Sequence, residues 1–424
     1  MKLNLALGWL AAVNLVCGLL IQWYVVTRLG VGIQTDALFA GMAVPQLGLA
    51  VISGSLASVL VPILSGRSQP FFGQAAWTFF LAIAGLAALL TAILWATAPI
   101  WVSWLLPGFG SEARSLTVEL TRIQLFGLVF TAAIAVLWSV YYAEHRFLRA
   151  EAAPVLGSLL AFGAVVWGLP RFGIRMAAWA NVGRAAVPVL LLLPGLFPWR
   201  RPAVKSEAVS TAWHRLRPLL VGNTYYKVDP LVDRFLSSMA GPGGLSILYL
   251  GQQIWGAASQ ILTKAIAAPM VPLLAVQAKA ETWPVFQSTW RRRAAWMAGL
   301  TAFGFLLFLA AGQRLLSLLI GHGGVTLENV SMLWRIMVGL VGVLIAGSIG
   351  QVTSASFYAF GDTRTPTRLG MLTFTIYVPA KILAFSSFGL MGVAVATSLF
   401  ALTNLALQLW YLGGAMRSRT AAVG

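Results

Sequence analysis

Four charged residues lie close together in a segment that is otherwise mostly apolar. They are Lys227, Asp229, Asp233 and Arg234, within residues 218–240. Only 9% of the chain is charged, and a charge at the centre of a bilayer costs about 2.5 to 3.5 kcal/mol on the mildest scale. Charged side chains at membrane depth usually line a water-filled path or contact a charged ligand. The segment is therefore the first candidate for a functional site.

The spacing of these four residues predicts two chemically different faces. In a helix that turns by about 100° per residue, Lys227 and Arg234 fall about 20° apart. Asp229 and Asp233 lie together on another face. We expect Pro230 to kink the helix between the two acids, because it lacks an N–H donor. In one interpretation the two cations bind an anion and an aspartate titrates or binds a coupling ion. In the other, the four charges pair with one another and the basic side chains snorkel.

Other basic residues are expected at membrane depth or close to it. Lys264, in the eighth predicted span, is expected to face the same cavity, and Arg28, after the first span, is a further candidate for substrate binding. Arg184, Arg335 and Lys381 lie nearer to span ends, where long side chains are expected to extend toward the interface. Basic residues outnumber acidic ones at this depth, which favours an anionic substrate. A phosphate or pyrophosphate group suits paired Arg and Lys.

Hydropathy predicts the elements that must position these residues. The chain has 424 residues, 59% of them hydrophobic, and a mean hydropathy of +0.84. Apolar runs of about 20 residues, long enough to cross a bilayer as a helix, follow one another along the chain. We predict an all-α polytopic membrane protein with about twelve transmembrane helices. The predicted spans are 6–27, 37–64, 75–105, 118–142, 153–170, 173–197, 218–240, 246–275, 294–320, 330–358, 369–387 and 390–413.

Several function classes have no support in the sequence. Cys17 is the single cysteine, so no intramolecular disulfide is expected. The three histidines lie far apart and have no metal-ligand spacing. We find no phosphate-binding loop, no GxSxG and no GxGxxG after a strand. We therefore expect no enzyme activity, no metal, no cofactor and no ATP-driven transport within this chain.

The distribution of basic residues predicts the orientation in the membrane. Most of the 29 Lys and Arg residues fall in loops on one side of the predicted topology, which is typical of the cytoplasmic side. Both termini are therefore expected in the cytoplasm. The net charge of +18 is spread over short loops, so anionic membrane lipids account for it better than nucleic acid.

A weak internal repeat predicts two halves. The tetrapeptide VPIL at 61–64 ends the second predicted span, and VPLL at 271–274 ends the eighth. Six spans per half give matching helices the same orientation, related by a parallel pseudo-twofold axis along the membrane normal. We predict an N-terminal six-helix bundle over 1–198, a basic cytoplasmic linker over 199–217 and a C-terminal six-helix bundle over 218–424.

Three stretches of the chain are similar to one protein family. They are Arg28-Leu29-Gly30 through Thr35-Asp36-Ala37 to Val61-Pro62, Asp233 through Gly244-Leu245-Ser246 to Pro272, and most sharply Phe357 to Pro366. There the chain resembles MurJ/MviN-type lipid II flippases of the multidrug/oligosaccharidyl-lipid/polysaccharide exporter superfamily. The resemblance implies two six-helix bundles, a central cationic cavity and alternating access. It also implies that an undecaprenyl-pyrophosphate-linked saccharide crosses the bacterial inner membrane, with membrane lipids as the other partners.

Five residues are expected to fix helix ends or gate geometry. They are Asp36, Pro230, Asp362, Arg364 and Pro366. A turn of Asp-Thr-Arg-Thr-Pro type is also a local stop signal for a helix. A structural role is therefore the competing interpretation for these residues.

The chain departs from the family pattern in its arginines. The first span has no arginine before Arg28, and residues 46–60 have none, although the family carries arginines in both places. We therefore expect either a lipid II-like substrate or an exopolysaccharide precursor, handled by a monomer with glycan-synthesis enzymes as candidate partners. Two alternatives stay open. One is a cation-coupled small-molecule antiporter of multidrug type, and the other is a membrane scaffold of the same fold that transports nothing.

Overall fold

The structure is a computed structural model that describes residues 2–65, 71–203, 207–263, 270–359, 361–362 and 364–421. These residues form helices joined by short turns, and the described part of the chain contains no strand. The chain divides into two compact units, Met1–Leu245 and Ser246–Gly424. The expectation of an all-α polytopic membrane protein is confirmed.

The first unit is built from helices that follow one another with short connections. In chain order they are α1 (Lys2–Leu29), α2 (Ile33–Gly41), α3 (Ala43–Ser65), α4 (Phe71–Ala96), α5 (Ala98–Leu105), α6 (Ser111–Ala143), α7 (Phe147–Phe172), α8 (Ile174–Leu192), α9 (Glu207–Lys227) and α10 (Asp229–Ser238). A 3₁₀ turn, Leu193–Leu196, follows α8. Gly173 separates α7 from α8 with a φ of 62°, which favours glycine because it has no Cβ.

The second unit begins within the first turn of α11. Its helices are α11 (Gly244–Leu262), α12 (Met270–Lys279), α13 (Trp283–Ile320), α14 (Leu327–Gly339), α15 (Val341–Ala359) and α16 (Arg364–Ala421). Gly389, with φ 57° and ψ −139°, interrupts the helical backbone inside α16. The eleventh and twelfth predicted spans therefore lie before and after Gly389, as the sequence predicted.

Several predicted spans are made of two helices each. The predicted span 37–64 overlaps α2 and α3, and 75–105 overlaps α4 and α5. Likewise, 218–240 overlaps α9 and α10, and 330–358 overlaps α14 and α15. By length and composition, eight helical segments among the described residues could cross a membrane. A helix that is interrupted inside a membrane is tolerated when neighbouring side chains satisfy the freed backbone groups.

At two of these interruptions a side chain from a neighbouring helix bonds to the backbone. At the end of α2, the side-chain amide of Gln124 from α6 donates to the carbonyl of Leu38 at 3.1 Å. Between α14 and α15, the hydroxyl of Ser398 donates to the carbonyl of Gly339 at 2.6 Å and accepts from the amide of Gly342 at 2.9 Å. Both interruptions are therefore built into the packing of the unit to which they belong.

The core of the first unit surrounds α6. Alanines of α6 pack among the large apolar residues of α3 and α4, including Leu60 and Phe72. Small residues let helices approach closely, which is how helices associate where lipid removes the hydrophobic driving force. The second unit has its own cluster, in which Phe286, Val352 and Leu412 are buried together.

The boundary between the compact units lies after the predicted boundary of the halves. Helices α9 and α10 belong to the first unit, and α9 packs along α3. Residues of the predicted linker are also tied to this unit, since the carbonyl of Arg201 accepts from Gln74 at 3.1 Å and the amide of Ala203 donates to Thr78 at 2.9 Å. The division into sequence halves stays a prediction.

Candidate functional site

The four clustered charges lie on both sides of a helix break. Helix α9 ends at Lys227, α10 begins at Asp229, and Val228 separates them. Pro230 lies in the first turn of α10, where its missing N–H has no intrahelical partner to lose. The break thus precedes both aspartates instead of falling between them.

These charges differ in burial and in the elements they contact. Lys227 is half-buried, and its ammonium donates to the carbonyl of Ala50 in α3. Asp233 and Arg234, in contrast, are 1% and 3% exposed. Asp229 stands in the first turn of α10, where the helix dipole favours a negative charge. Lys227 is therefore partly accessible, whereas the adjacent residues Asp233 and Arg234 are both buried.

Asp36 accepts a long-range hydrogen bond that was not predicted from the sequence. It lies in the first turn of α2, is 1% exposed, and its Oδ2 accepts from the backbone amide of Gly243 at 2.6 Å. Gly243 follows α10 and has a φ of 87°, and a Cβ there would lie 2.7 Å from Val31. Glycine is therefore required at this position by conformation and by space. The contact holds the start of α2 against the chain that leaves α10.

A cavity of about 360 Å³ adjoins this contact. Its polar lining residues are Asp36, Glu112, Ser111 and Ser238, and most of the others belong to the loops between α5 and α6 and after α10. The amide of Gly108 donates to the hydroxyl of Ser238 at 3.3 Å. This cavity was not predicted from the sequence. The only sequence signal for it was the pair of glycine-rich turns at 107–111 and 241–244.

Asp362 has a local role at the start of α16. Its Oδ1 accepts from the amides of Arg364 and Thr365, each at 3.0 Å. Partial burial raises the pKa of Asp362. The two amide hydrogen bonds, a further hydrogen bond from the Thr365 hydroxyl and the positive charge of Arg419 have the opposite effect. Together they outweigh burial, so the pKa is lowered. Arg364 is exposed, and Pro366 is buried in the first turn. The structure thus places Asp362 as a helix-capping residue.

The other candidate cations are not brought into one described cluster. Arg28 is exposed at the end of α1, with its Cζ 5.4 Å from the centre of the Tyr24 ring. Lys264 lies outside the described residues. Among the residues that the structure describes, no group of three or more His, Cys, Asp or Glu could hold a metal ion.

Two basic residues are turned inward where sequence predicted snorkelling. Lys381, in α16, is only 1% exposed, so the prediction that it extends to the interface is wrong. Arg184, in α8, donates from Nε to the hydroxyl of Ser158 in α7 at 2.9 Å. Arg335, by comparison, is exposed and donates to the carbonyl of Ser331 in its own helix at 3.4 Å. Arg184 lies near the middle of its helix, Ile174–Leu192, so the expectation that placed it near a span end was wrong.

A family model and curated relatives that match this chain carry the same description, lipid II flippase MurJ. The family model described as lipid II flippase MurJ matches residues 25–422. The probable lipid II flippase MurJ of Thermotoga maritima is 24% identical over 315 residues, which are 74% of this chain and 64% of that protein. The match therefore spans less than two thirds of that relative. The probable lipid II flippase MurJ of Vibrio cholerae is 22% identical over 446 residues, covering 96% of this chain and 82% of the relative.

Solved structures show the same fold. A lipid II flippase MurJ in an inward closed conformation matches with a TM-score of 0.84 at 14% identity, covering 96% of this chain and 87% of that one. An inward-facing multidrug resistance MATE family transporter of the MOP superfamily matches with a TM-score of 0.80 at 16% identity, covering 98% and 96%. At these identities the likeness is one of fold, and it agrees with the predicted transporter architecture.

Proposed function

Because this chain belongs to the MurJ family of lipid II flippases, we propose that it moves a polyprenyl-pyrophosphate-linked saccharide across the bacterial inner membrane. The cargo is lipid II-like or an exopolysaccharide precursor with the same pyrophosphate group. Alternating access moves the polar headgroup through the protein while the polyprenyl tail stays in lipid. The chain is proposed to act as a transporter and to catalyse no covalent step.

The observation that carries this proposal is the placement of cations in a helical membrane protein. Arg234 is 3% exposed in α10, and Lys227 is half-buried at the end of α9. Charges in such positions are costly and are usually retained for function. Arginine can bind a phosphate through two parallel N–H···O bonds, and lysine supplies a point charge. We propose both as pyrophosphate contacts, with Lys264 and Arg28 as further ones.

Two aspartates are proposed to couple transport to an ion gradient or to the membrane potential. Asp229 and Asp233 lie in the first two turns of α10. A change in their charge would alter the electrostatic attraction between this helix and an anionic cargo. Such a change gives the cycle a way to release cargo after the conformational switch. Neutralising either aspartate should therefore reduce transport more than cargo binding.

We also propose an orientation in the membrane and a set of partners. Both termini face the cytoplasm, which the bias of basic residues supports. The protein acts as a monomer in contact with membrane lipids. Glycan-synthesis enzymes on the cytoplasmic face supply the lipid-linked cargo.

The test is binding of lipid II to the purified full-length protein in detergent. We expect Lys227→Ala and Arg234→Gln each to weaken binding about tenfold, which corresponds to about 1.4 kcal/mol. Arg335→Gln is the matched control, because Arg335 is exposed and bonds within its own helix. Thermal unfolding of each variant shows whether a loss of binding reflects a loss of folding.

Wild-type protein that fails to bind lipid II and a lipid-linked exopolysaccharide precursor would overturn the proposal. Full binding by a folded Lys227→Ala, Arg234→Gln double variant would overturn the assignment of these two residues. Transport of small cations that needs Asp233 and tolerates Lys227→Ala would favour the antiporter instead.

A further inference from the structure

A hydrogen-bonded chain of side chains joins three helices inside the first unit. Nε of Arg184 in α8 donates to the hydroxyl of Ser158 in α7 at 2.9 Å. That hydroxyl donates in turn to Oδ1 of Asn14 in α1 at 2.5 Å. Ser158 has no exposed surface, whereas Arg184 and Asn14 are partly exposed. The direction of the Arg184 side chain is therefore set by the buried hydroxyl of Ser158, which Asn14 holds from a third helix.

Gly18 makes room for the guanidinium group. It lies one turn after Asn14 on α1 and is buried. A Cβ at Gly18 would lie 3.0 Å from both Nη atoms of Arg184 and 3.2 Å from its Cζ. The guanidinium group therefore lies close against the backbone of α1 at this point. Any larger residue at position 18 would have to displace the guanidinium group.

Arg184 lies deep in the apolar part of its helix. The segment Ile174–Leu196 is long and apolar enough to cross a membrane. Arg184 is ten residues after Ile174, which places it about 15 Å along a helix that rises 1.5 Å per residue. This is about half the thickness of a bilayer core. Ionised side chains at such depth are costly and usually serve a ligand path.

The chemistry of this site suits an anionic, hydroxylated headgroup. A guanidinium that is oriented through Nε presents its Nη donors in a fixed plane, which matches phosphate oxygens. Neither α1 nor α8 contains an acidic residue. The one acid of α7, Glu151, accepts from the hydroxyl of Tyr142 at 2.6 Å. The amides of Asn14 and Gln22, each four residues from Gly18, add hydrogen-bonding groups on the same face of α1.

We propose that Arg184, oriented by Ser158 and Asn14 and lying against Gly18, is a contact for the pyrophosphate of the cargo in the first unit. This inference rests on the proposed flippase function and adds a site to it. Helix α1 has no arginine before Arg28. Arg184 would supply a cation from α8 instead. Ser158, Asn14 and Gly18 are positioning residues that act through Arg184.

The test compares lipid II binding by full-length wild-type protein with Arg184→Met, Arg184→Lys and Gly18→Ala. We expect Arg184→Met to weaken binding at least tenfold and Arg184→Lys to weaken it less, because lysine keeps the charge and loses the planar fork. Gly18→Ala, which displaces the guanidinium without removing it, should also weaken binding. Undecaprenol, which has no pyrophosphate, should bind all variants with equal affinity. Arg175→Met, an exposed position on the same helix, is the control and should bind lipid II like the wild type.

Two results separate this inference from the proposed function. If Lys227→Ala weakens lipid II binding and a folded Arg184→Met does not, the Arg184 site is overturned and the flippase proposal stands. If wild-type protein binds no lipid-linked pyrophosphate, the proposed function itself is overturned. A lower Tm for Arg184→Met that Arg184→Lys restores, with binding unchanged in both, would show that Arg184 only holds the three helices together.

Discussion

Asp36 and Asp362 both accept hydrogen bonds from backbone amides, but the amides belong to different parts of the chain. Asp362 accepts from Arg364 and Thr365, which follow it directly. Asp36 accepts from Gly243, which is 207 positions away. The first contact is a helix cap that a local motif predicts. The second exists only because α2 and the end of α10 meet in the folded unit.

Replacing Asp36 tests the tertiary contact. Asp36→Ala should lower stability by about 1 to 3 kcal/mol, because it leaves the Gly243 amide without its acceptor. Asp36→Asn keeps a side-chain oxygen and should cost less. Thermal unfolding in detergent measures both effects. Equal Tm values for Asp36→Ala and wild type would contradict a structural role for this hydrogen bond.

Replacing Asp362 tests the local cap and its pH dependence. The pKa of Asp362 is lowered in the folded state, so its stabilisation is complete above the unfolded pKa of about 3.9 and is lost as the pH falls through the lower folded value. Asp362→Ala should cost about 1 kcal/mol at pH 7. The difference in Tm from wild type should shrink below about pH 4.

Asp362→Asn is the matched control for this cap. Asparagine caps about as well as aspartate but has no charge to titrate in this range. Its Tm should stay near that of the wild type at pH 7. A difference between wild type and Asp362→Ala that stays constant down to pH 3 would show that the carboxylate is not the stabilising group.

At the scale of elements, glycine and polar side chains decide where helices stop inside the membrane. Ser398 bonds to both sides of the break between α14 and α15, and Gln124 bonds to the last turn of α2. Gly389 divides α16 by its backbone conformation alone, since a Cβ there would meet no atom within 4 Å. Space therefore does not forbid a side chain at Gly389, but its φ and ψ do.

Gly389→Ala should lower stability by about 1 to 3 kcal/mol, the usual cost of a strained backbone conformation. Gly413→Ala is the control in the same helix. A Cβ at Gly413 also meets no atom within 4 Å, and its φ is outside the positive range. Alanine there should be neutral or slightly stabilising, because it favours a helix more than glycine does. Similar Tm values for the two variants would contradict the role assigned to the backbone of Gly389.

At the scale of the whole molecule, the proposed topology assigns the loops to two sides of the membrane. The single cysteine, Cys17, is buried, so Cys17→Ala gives a background without thiols. In this Cys17→Ala background, Glu112→Cys should react with a membrane-impermeant maleimide in intact cells, because Glu112 is expected outside the cytoplasm. Arg291→Cys, expected on the cytoplasmic side, should react only after permeabilisation. Both positions are exposed, so the membrane alone should protect one of them. The reverse pattern would invert the proposed orientation.

Sequence was a good guide to the helices because helix formation in lipid is a local requirement. Backbone groups in the bilayer core must be satisfied within the segment, so an apolar run of sufficient length predicts a span. The predicted spans therefore coincide with helices even where the structure divides them, as at Val228 and Leu340. Turn chemistry was also local, and it identified Asp362 as a residue that ends or starts a helix.

Only the tertiary structure decided which polar residues are internal and what they contact. Lys381 and Arg335 have similar sequence surroundings, yet one is 1% exposed and the other lies at the surface. Arg184 is directed by Ser158 and Asn14, and Asp36 by Gly243, all from distant segments. Burial depends on which helices pack together, and hydropathy along one segment contains no information about its neighbours. The sequence by itself thus determined the spans and the family resemblance, and the packing of the helices determined the interior contacts.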